Sequence, residues 1–125
     1  MTAKRKQLSE EQAFEIALAD HPEWREDWEN DTLPEEIEGE DGEPMNPRMH
    51  LMIHVIVERQ LAADEPAGIV EVGRRLAEHG VSRHDIRHEI GRAFIEQFWQ
   101  MQQYGAAFDE DQYMDDLEEI IRSHQ

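Results

Sequence analysis

Apolar residues recur every three or four positions along most of the chain, which is the spacing of one face of an α-helix. The alternation typical of half-buried strands is nearly absent. Helix-start signals, in which a capping side chain or a proline precedes an apolar run, recur along the sequence. They lie at Ser9 with Gln12, Pro22, Asn46–Pro47, Asp64–Pro66, Ser82 with Asp85, and Asp109 with Gln112. The pattern predicts an all-α fold, a compact domain of five or six helices.

Stop signals bound the central helices of this fold. The helix that begins at Asn46 is expected to end near Ala63, and the next is expected to run from Asp64 to the glycine at position 80. A long helix should follow, from Ser82 to about Gln103. Residues 31–45 are rich in Glu, Asp, Gly and Pro, so they predict an exposed connection.

Charge is distributed unevenly, and this divides the domain into parts. The net charge is −18, with acidic residues dominating the two ends of the chain and nearly balanced by basic residues between 49 and 107. We predict a single helical domain over residues 1–125. It would consist of acidic N-terminal helices and a loop over 1–48, a core segment over 46–103 and an acidic C-terminal helix over 108–125.

Composition excludes several classes of function. So acidic a chain is not expected to bind nucleic acid or a membrane through general electrostatics. No apolar run is long enough for a membrane span, and the N-terminus lacks the apolar segment of a signal peptide, so the cytoplasm is the expected location. Cysteine is absent, which excludes disulfides and thiolate–metal sites. Any metal would be held by His, Asp or Glu.

Two His-x-x-x-His pairs are the strongest indication of a functional site in this sequence. They are His50 with His54 and His84 with His88. Side chains four residues apart lie on one helix face, so both imidazoles of a pair can reach one ion at about 2.0–2.1 Å. The helix that carries His50 and His54 is apolar on nearly every side and should be buried. Two such pairs on adjacent central helices predict a site for one divalent metal ion.

The residue types narrow the choice of ion and ligands. An imidazole-rich site without thiolates suits zinc best, with nickel, iron and copper as alternatives. Glu58 lies one step further along the His50/His54 face and is the best carboxylate candidate. It would act as a metal ligand or orient an imidazole, unless it pairs with a nearby arginine at the surface.

A simpler interpretation is that the four histidines lie at the edge of the core and bond to carboxylates or backbone carbonyls. The remaining histidines, His21, His79 and His124, do not share the paired spacing and are not expected to be ligands.

Enzymatic activity is left undecided by the sequence. His84–His88 has the spacing of the zinc-protease motif His-Glu-x-x-His, but an aspartate occupies the position of the base and the motif falls in the first turns of a helix. An open metal position with Glu58 as the base would permit hydrolysis. No nucleophile motif or phosphate-binding loop indicates a substrate.

The alternative function is a metal-free helical module that binds another protein through its acidic arms. Trp24 and Trp28 share one helix face and would either dock onto such a partner or pack in the core, which is the commoner outcome. Residual apolar surface would be covered in a homodimer, although the like charge opposes association unless the acidic arms point outward.

The segment Met45–Gln103 resembles a family of small, uncharacterised prokaryotic proteins, the domain of unknown function 1841. The resemblance rests on two stretches, NPRMHLMIHVIVERQLAADEPAGI and GVSRHDIRHEIGRAFIEQFW. The matching features are Asn46–Pro47, His50, His54, Glu58, Gln60, the link Asp64–Pro66, His84 and His88. The resemblance implies a small helical protein and brings no activity, substrate or partner with it.

Overall fold

The computed structural model describes residues 7–39 and 42–125. Six α-helices dominate this part of the chain, which confirms the predicted all-α fold. They are α1 (Glu10–Asp20), α2 (Arg25–Glu29), α3 (Pro47–Ala63), α4 (Ile69–Glu78), α5 (Arg83–Tyr104) and α6 (Glu110–Ser123). A single turn of 3-10 helix (Pro22–Trp24) precedes α2. A short antiparallel pair, β1 (Ile37–Glu38) with β2 (Pro44–Met45), precedes α3, and Ile37 lies opposite Met45.

Side-chain caps start four of the helices where the sequence predicts them. Ser9, Asn46, Ser82 and Asp109 each accept a hydrogen bond from the backbone N–H three residues later. Each bond satisfies a donor that the first turn of a helix cannot satisfy internally. Local chemistry therefore fixes the starts of α1, α3, α5 and α6.

The start of α4 differs from the prediction. Asp64 ends α3 in a left-handed conformation (φ 53°), and α4 begins at Ile69. The Asp64 carboxylate still serves the next helix, because it accepts hydrogen bonds from the N–H groups of Gly68 and Val70 at 3.2 and 3.1 Å. Aspartate tolerates left-handed backbone better than most residues do, so the backbone of Asp64 ends α3 while its side chain accepts hydrogen bonds at the start of α4.

Two hydrophobic clusters lie on either side of α3. The larger one joins α3 to α4, α5 and α6, and its fully buried residues include Val57, Ile90 and Tyr113. The smaller one joins α1 to the opposite side of α3 through Ala13, Ala17, Leu18, Leu51 and Val55. Trp24 and Trp28 are partly buried against this smaller cluster, so both tryptophans pack in the core. The seam between the two clusters runs along α3, where His50 and His54 lie.

The longest helix, α5, forms the wall that faces α3. Its buried positions include Ile86, Ile90 and Ala93, whereas Trp99 near its end is 56% exposed. Among the helices of the described residues, none combines the length and apolar character needed to cross a membrane.

Candidate metal centre

Four histidines from three helical segments meet at the seam beside α3. His21 lies at the C-terminal end of α1, His50 and His54 lie on α3, and His88 lies on α5. One ring nitrogen of each lies within 4.8 Å of those of the other three. His21 and His54 are 8% and 3% exposed, while His50 and His88 are partly buried. We call these four residues the histidine cluster.

Four of the six separations within the histidine cluster are close to those of ligands around one ion. The Nε2 atom of His54 lies 3.1 Å from that of His21, 3.1 Å from that of His50 and 3.2 Å from that of His88. His21 and His50 are also 3.1 Å apart at Nε2. A Zn–N distance of about 2.0–2.1 Å gives ligand separations of about 3.3–3.4 Å in a tetrahedron and about 2.8–3.0 Å at the edges of an octahedron. Shifts of a few tenths of an ångström for most of these contacts would therefore fit either geometry.

Hydrogen bonds between the imidazoles cannot satisfy all of these contacts. Each ring nitrogen of a neutral imidazole carries either one hydrogen or one lone pair. The Nε2 atom of His54 has three Nε2 neighbours, and a hydrogen can join it to only one of them. The other contacts are left without a hydrogen bond, whereas a cation among the four rings is bound by every Nε2 atom when each presents its lone pair.

The environment keeps the histidines of α3 neutral. Burial, assisted by the neighbouring His21 and His88, lowers the pKa of His50 to about 4. Burial also lowers the pKa of His54 to about 2, and the neighbours His50 and His21 reinforce the shift. At neutral pH both rings are therefore uncharged and keep a lone pair for a metal ion, since only the neutral ring binds metals.

His21 is held in place by the short segment that follows it. Its Nδ1 atom lies 2.9 Å from a carboxylate oxygen of Glu23, which directs the lone pair to Nε2 when Nδ1 carries the hydrogen. The Trp24 ring stacks on the imidazole, with centroids 4.4 Å apart and planes 13° from parallel. Burial raises the pKa of Glu23, but the hydrogen bond from His21, a backbone hydrogen bond and the charges of His21 and His84 together leave that pKa below its ordinary value. A carboxylate–histidine pair of this kind is a common support for a metal ligand.

The structure places the five sequence-predicted ligands in two groups. His50, His54 and His88 belong to the histidine cluster, whereas His84 lies beside it. The His84 ring centroid is 4.1 Å from that of His88, 5.5 Å from that of His21 and 6.1 Å from that of His54, but its ring nitrogens do not belong to the group within 4.8 Å of one another. His84 is one helical turn nearer the start of α5, so it borders the cluster without converging on it.

Glu58 binds arginines. Its carboxylate is 5% exposed and accepts hydrogen bonds from Arg87 at 2.9 Å and from Arg83 at 3.2 Å. Arg83 also contacts both carboxylate oxygens of Asp20 at 2.9 Å. This network joins α1, α3 and α5, which also carry the histidine cluster. Its role in the structure is to fix the spacing of those three helices, since a buried carboxylate needs such partners.

A glycine allows α5 to approach α3 beside the cluster. A Cβ atom at Gly91 would lie 2.9 Å from Cγ2 of Ile53, closer than real Cβ contacts. Ile53 is β-branched and stiff in a helix, so it cannot rotate away easily. Gly91 therefore sets the distance between the helices that carry His54 and His88.

We expect Gly91→Ala to lower the free energy of unfolding by about 1–3 kcal/mol through overpacking, despite the higher helix propensity of alanine. Metal affinity should fall with it, because α3 and α5 must move apart. Chemical denaturation and a zinc titration measure the two effects. The matched control is Gly73→Ala on α4, where the added Cβ meets Leu61 and Ile86 at an ordinary 3.7 and 3.8 Å and stability should hold or rise. Equal effects at both glycines would contradict this account.

The described residues form a predominantly helical protein in which four buried or partly buried histidines meet at a junction of helices. The chain belongs to the family described as domain of unknown function (DUF1841), whose sequence model matches residues 2–119. No curated protein and no solved structure matches the chain. The family match extends well beyond Met45–Gln103, so it includes His21 and most of α6.

His21 is the cluster residue that spacing failed to indicate, because it has no partner four residues away. The signal present in the sequence is the run His21–Pro22–Glu23–Trp24, which joins a histidine to a carboxylate and a large ring. Proline at the first position of the 3-10 turn folds this run back on itself, so that Glu23 and Trp24 both contact the imidazole.

Proposed function

We propose that this protein binds one divalent transition-metal ion through Nε2 of His21, His50, His54 and His88, and that zinc is the ion it holds. The observation that carries the proposal is the convergence of the four Nε2 atoms, three of them 3.1–3.2 Å from Nε2 of His54. Four neutral nitrogen ligands suit zinc in a tetrahedral site. The net charge of −18 favours a cation over long range.

His54 is the most deeply buried of the four proposed ligands. The residue is 3% exposed, and its Nδ1 atom has no hydrogen-bond partner among the described residues. A buried polar atom without a partner costs about 1–3 kcal/mol. Coordination at Nε2 places the hydrogen on Nδ1 and leaves this cost in place, so the binding free energy of the metal has to exceed it.

The site suits a structural ion because of what it connects. His21 ends α1, which contributes Ala13, Ala17 and Leu18 to the smaller hydrophobic cluster, whereas His88 lies on α5, which contributes residues to the larger one. One ion bound by both would join two parts of the protein that otherwise meet along α3 and through the ion pair of Arg83 with Asp20. In this role, binding free energy becomes folding free energy.

The direct test is the metal content of the protein purified without a histidine tag or chelator. We expect about one equivalent of metal per chain, since one four-ligand site saturates with one ion. Competition among zinc, nickel, cobalt and iron(II) would then show whether zinc is preferred. Less than about 0.1 equivalent, together with no thermal shift when any of these ions is added, would overturn the proposal.

A further inference from the structure

A pocket of about 730 Å³ opens over the histidine cluster, between α3, α5 and the β1–β2 pair. All four cluster histidines line it. This volume lies within the range of small-molecule sites, about 300–1,000 Å³. A small molecule in the pocket would therefore lie directly beside the metal ion.

One wall of the pocket carries an exposed arginine. Arg92 follows His88 by four residues on α5, so the two side chains share a helix face and both line the pocket. Arg92 pairs with no carboxylate in the part of the chain that the structure describes, although this protein has a large excess of acidic residues. The neighbouring arginine of the pocket, Arg87, is already bound to Glu58.

Apolar side chains form the mouth of the pocket. Met49 from α3 and Ile95 from α5 line it and are 50% and 40% exposed. Ile95 lies three residues beyond Arg92, so an apolar surface begins where the cationic group ends. Exposed apolar residues at the rim of a concave site favour a ligand with an apolar part.

The charges at the base of the pocket favour an anion with one negative charge. Four neutral imidazoles supply no charge to offset a divalent ion, the Glu23 carboxylate beside His21 offsets only part of it, and Glu58 is neutralised by Arg83 and Arg87. The exposed Glu38 and Glu43 line the opposite side of the pocket and would repel a ligand that carries several negative charges. A single carboxylate beside Arg92 balances positive charge with less of this repulsion than a ligand of several negative charges.

We propose that the pocket binds a small monocarboxylate with an apolar chain, its carboxylate beside Arg92 and facing the metal centre, and its chain against Met49 and Ile95. This inference rests on the proposed metal-binding function, since the ion supplies much of the attraction. A neutral or cationic molecule of the same size lacks the favourable charge interaction.

Hexanoate is a suitable probe for the full chain loaded with one equivalent of zinc. Binding would be followed by calorimetry and by ¹H–¹⁵N shifts, with hexylamine, hexanol and the dicarboxylate adipate as comparison ligands. We expect hexanoate to bind most tightly of the four and Arg92→Gln to weaken it about tenfold, because a charge-assisted hydrogen bond is lost. The control is Arg122→Gln on α6, whose arginine contacts Glu119 and does not line the pocket.

Three results would overturn the inference: no hexanoate binding to the zinc-loaded protein, an affinity unchanged by Arg92→Gln, or equal affinity in metal-free and zinc-loaded protein. Zinc content measured on the same samples separates the two proposals. A chain that holds one zinc but ignores hexanoate keeps the metal-binding function and loses the pocket ligand. A chain that takes up no zinc loses both.

Discussion

His54→Gln should bind zinc at least about 100-fold more weakly than the unmodified chain, because it removes the most central of four ligands. Nε2 of His54 contacts the Nε2 atoms of all three other cluster histidines. Glutamine keeps the approximate size of the side chain and limits the cavity in the core. Calorimetry or competition with a chromophoric chelator would measure the affinity, and circular dichroism would show that the variant is helical.

The control for this substitution is His79→Gln. His79 is exposed at the end of α4 and does not belong to the histidine cluster, so its loss should leave zinc affinity unchanged. A folded His54→Gln chain that retains full affinity would show that the histidine cluster is not the binding site.

Zinc affinity measured on two further variants distinguishes the four proposed ligands from the neighbouring His84. His21→Gln should weaken zinc binding as His54→Gln does, whereas His84→Gln should change affinity far less, since His84 lies outside the cluster. The opposite ranking would favour the ligand pair His84/His88 that the sequence pattern suggests. These two variants therefore show whether the metal ligands are the histidines paired by their spacing along a helix or the histidines whose ring nitrogens converge in the tertiary structure.

Removal of the metal should lower the free energy of unfolding by about 4 kcal/mol at a free zinc concentration 1,000 times the dissociation constant. The expected site of the change is α1, which is joined to the rest of the protein by a small cluster containing two alanines, Ala13 and Ala17. Amide hydrogen exchange should increase more in α1 than in α6, because α6 contributes Tyr113, Leu117 and Ile121 to the larger core. Thermal unfolding and exchange with and without a chelator measure both effects.

His54→Gln provides the control for metal removal, since its stability should no longer respond to the chelator. If the unmodified chain holds one zinc and its melting temperature is unchanged by chelation, the ion does not stabilise the fold. Uniform loss of protection in α1 and α6 would contradict a specific link between α1 and the helices α3 and α5.

The sequence alone was sufficient to predict where a helix begins when that start depends on residues close together along the chain. Caps at Ser9, Asn46, Ser82 and Asp109 determine helix starts because each bond spans only three positions. The same reasoning failed at Asp64, since the next helix begins only after a loop whose path depends on packing. The β1–β2 pair was also missed, because two residues per strand give no detectable alternation.

The sequence by itself determined an all-helical protein without thiols, in which His50 and His54 lie on one face of a central helix. Helical spacing is a local property, and it places side chains four residues apart together whatever the rest of the chain does. The tertiary structure decided which other histidines join them. His21 comes from a different helix and meets His54 only through the packing of α1 on α3, with their Nε2 atoms 3.1 Å apart. His84 has the right spacing to His88, yet the position of α5 against α3, set in part by Gly91, leaves it outside the four.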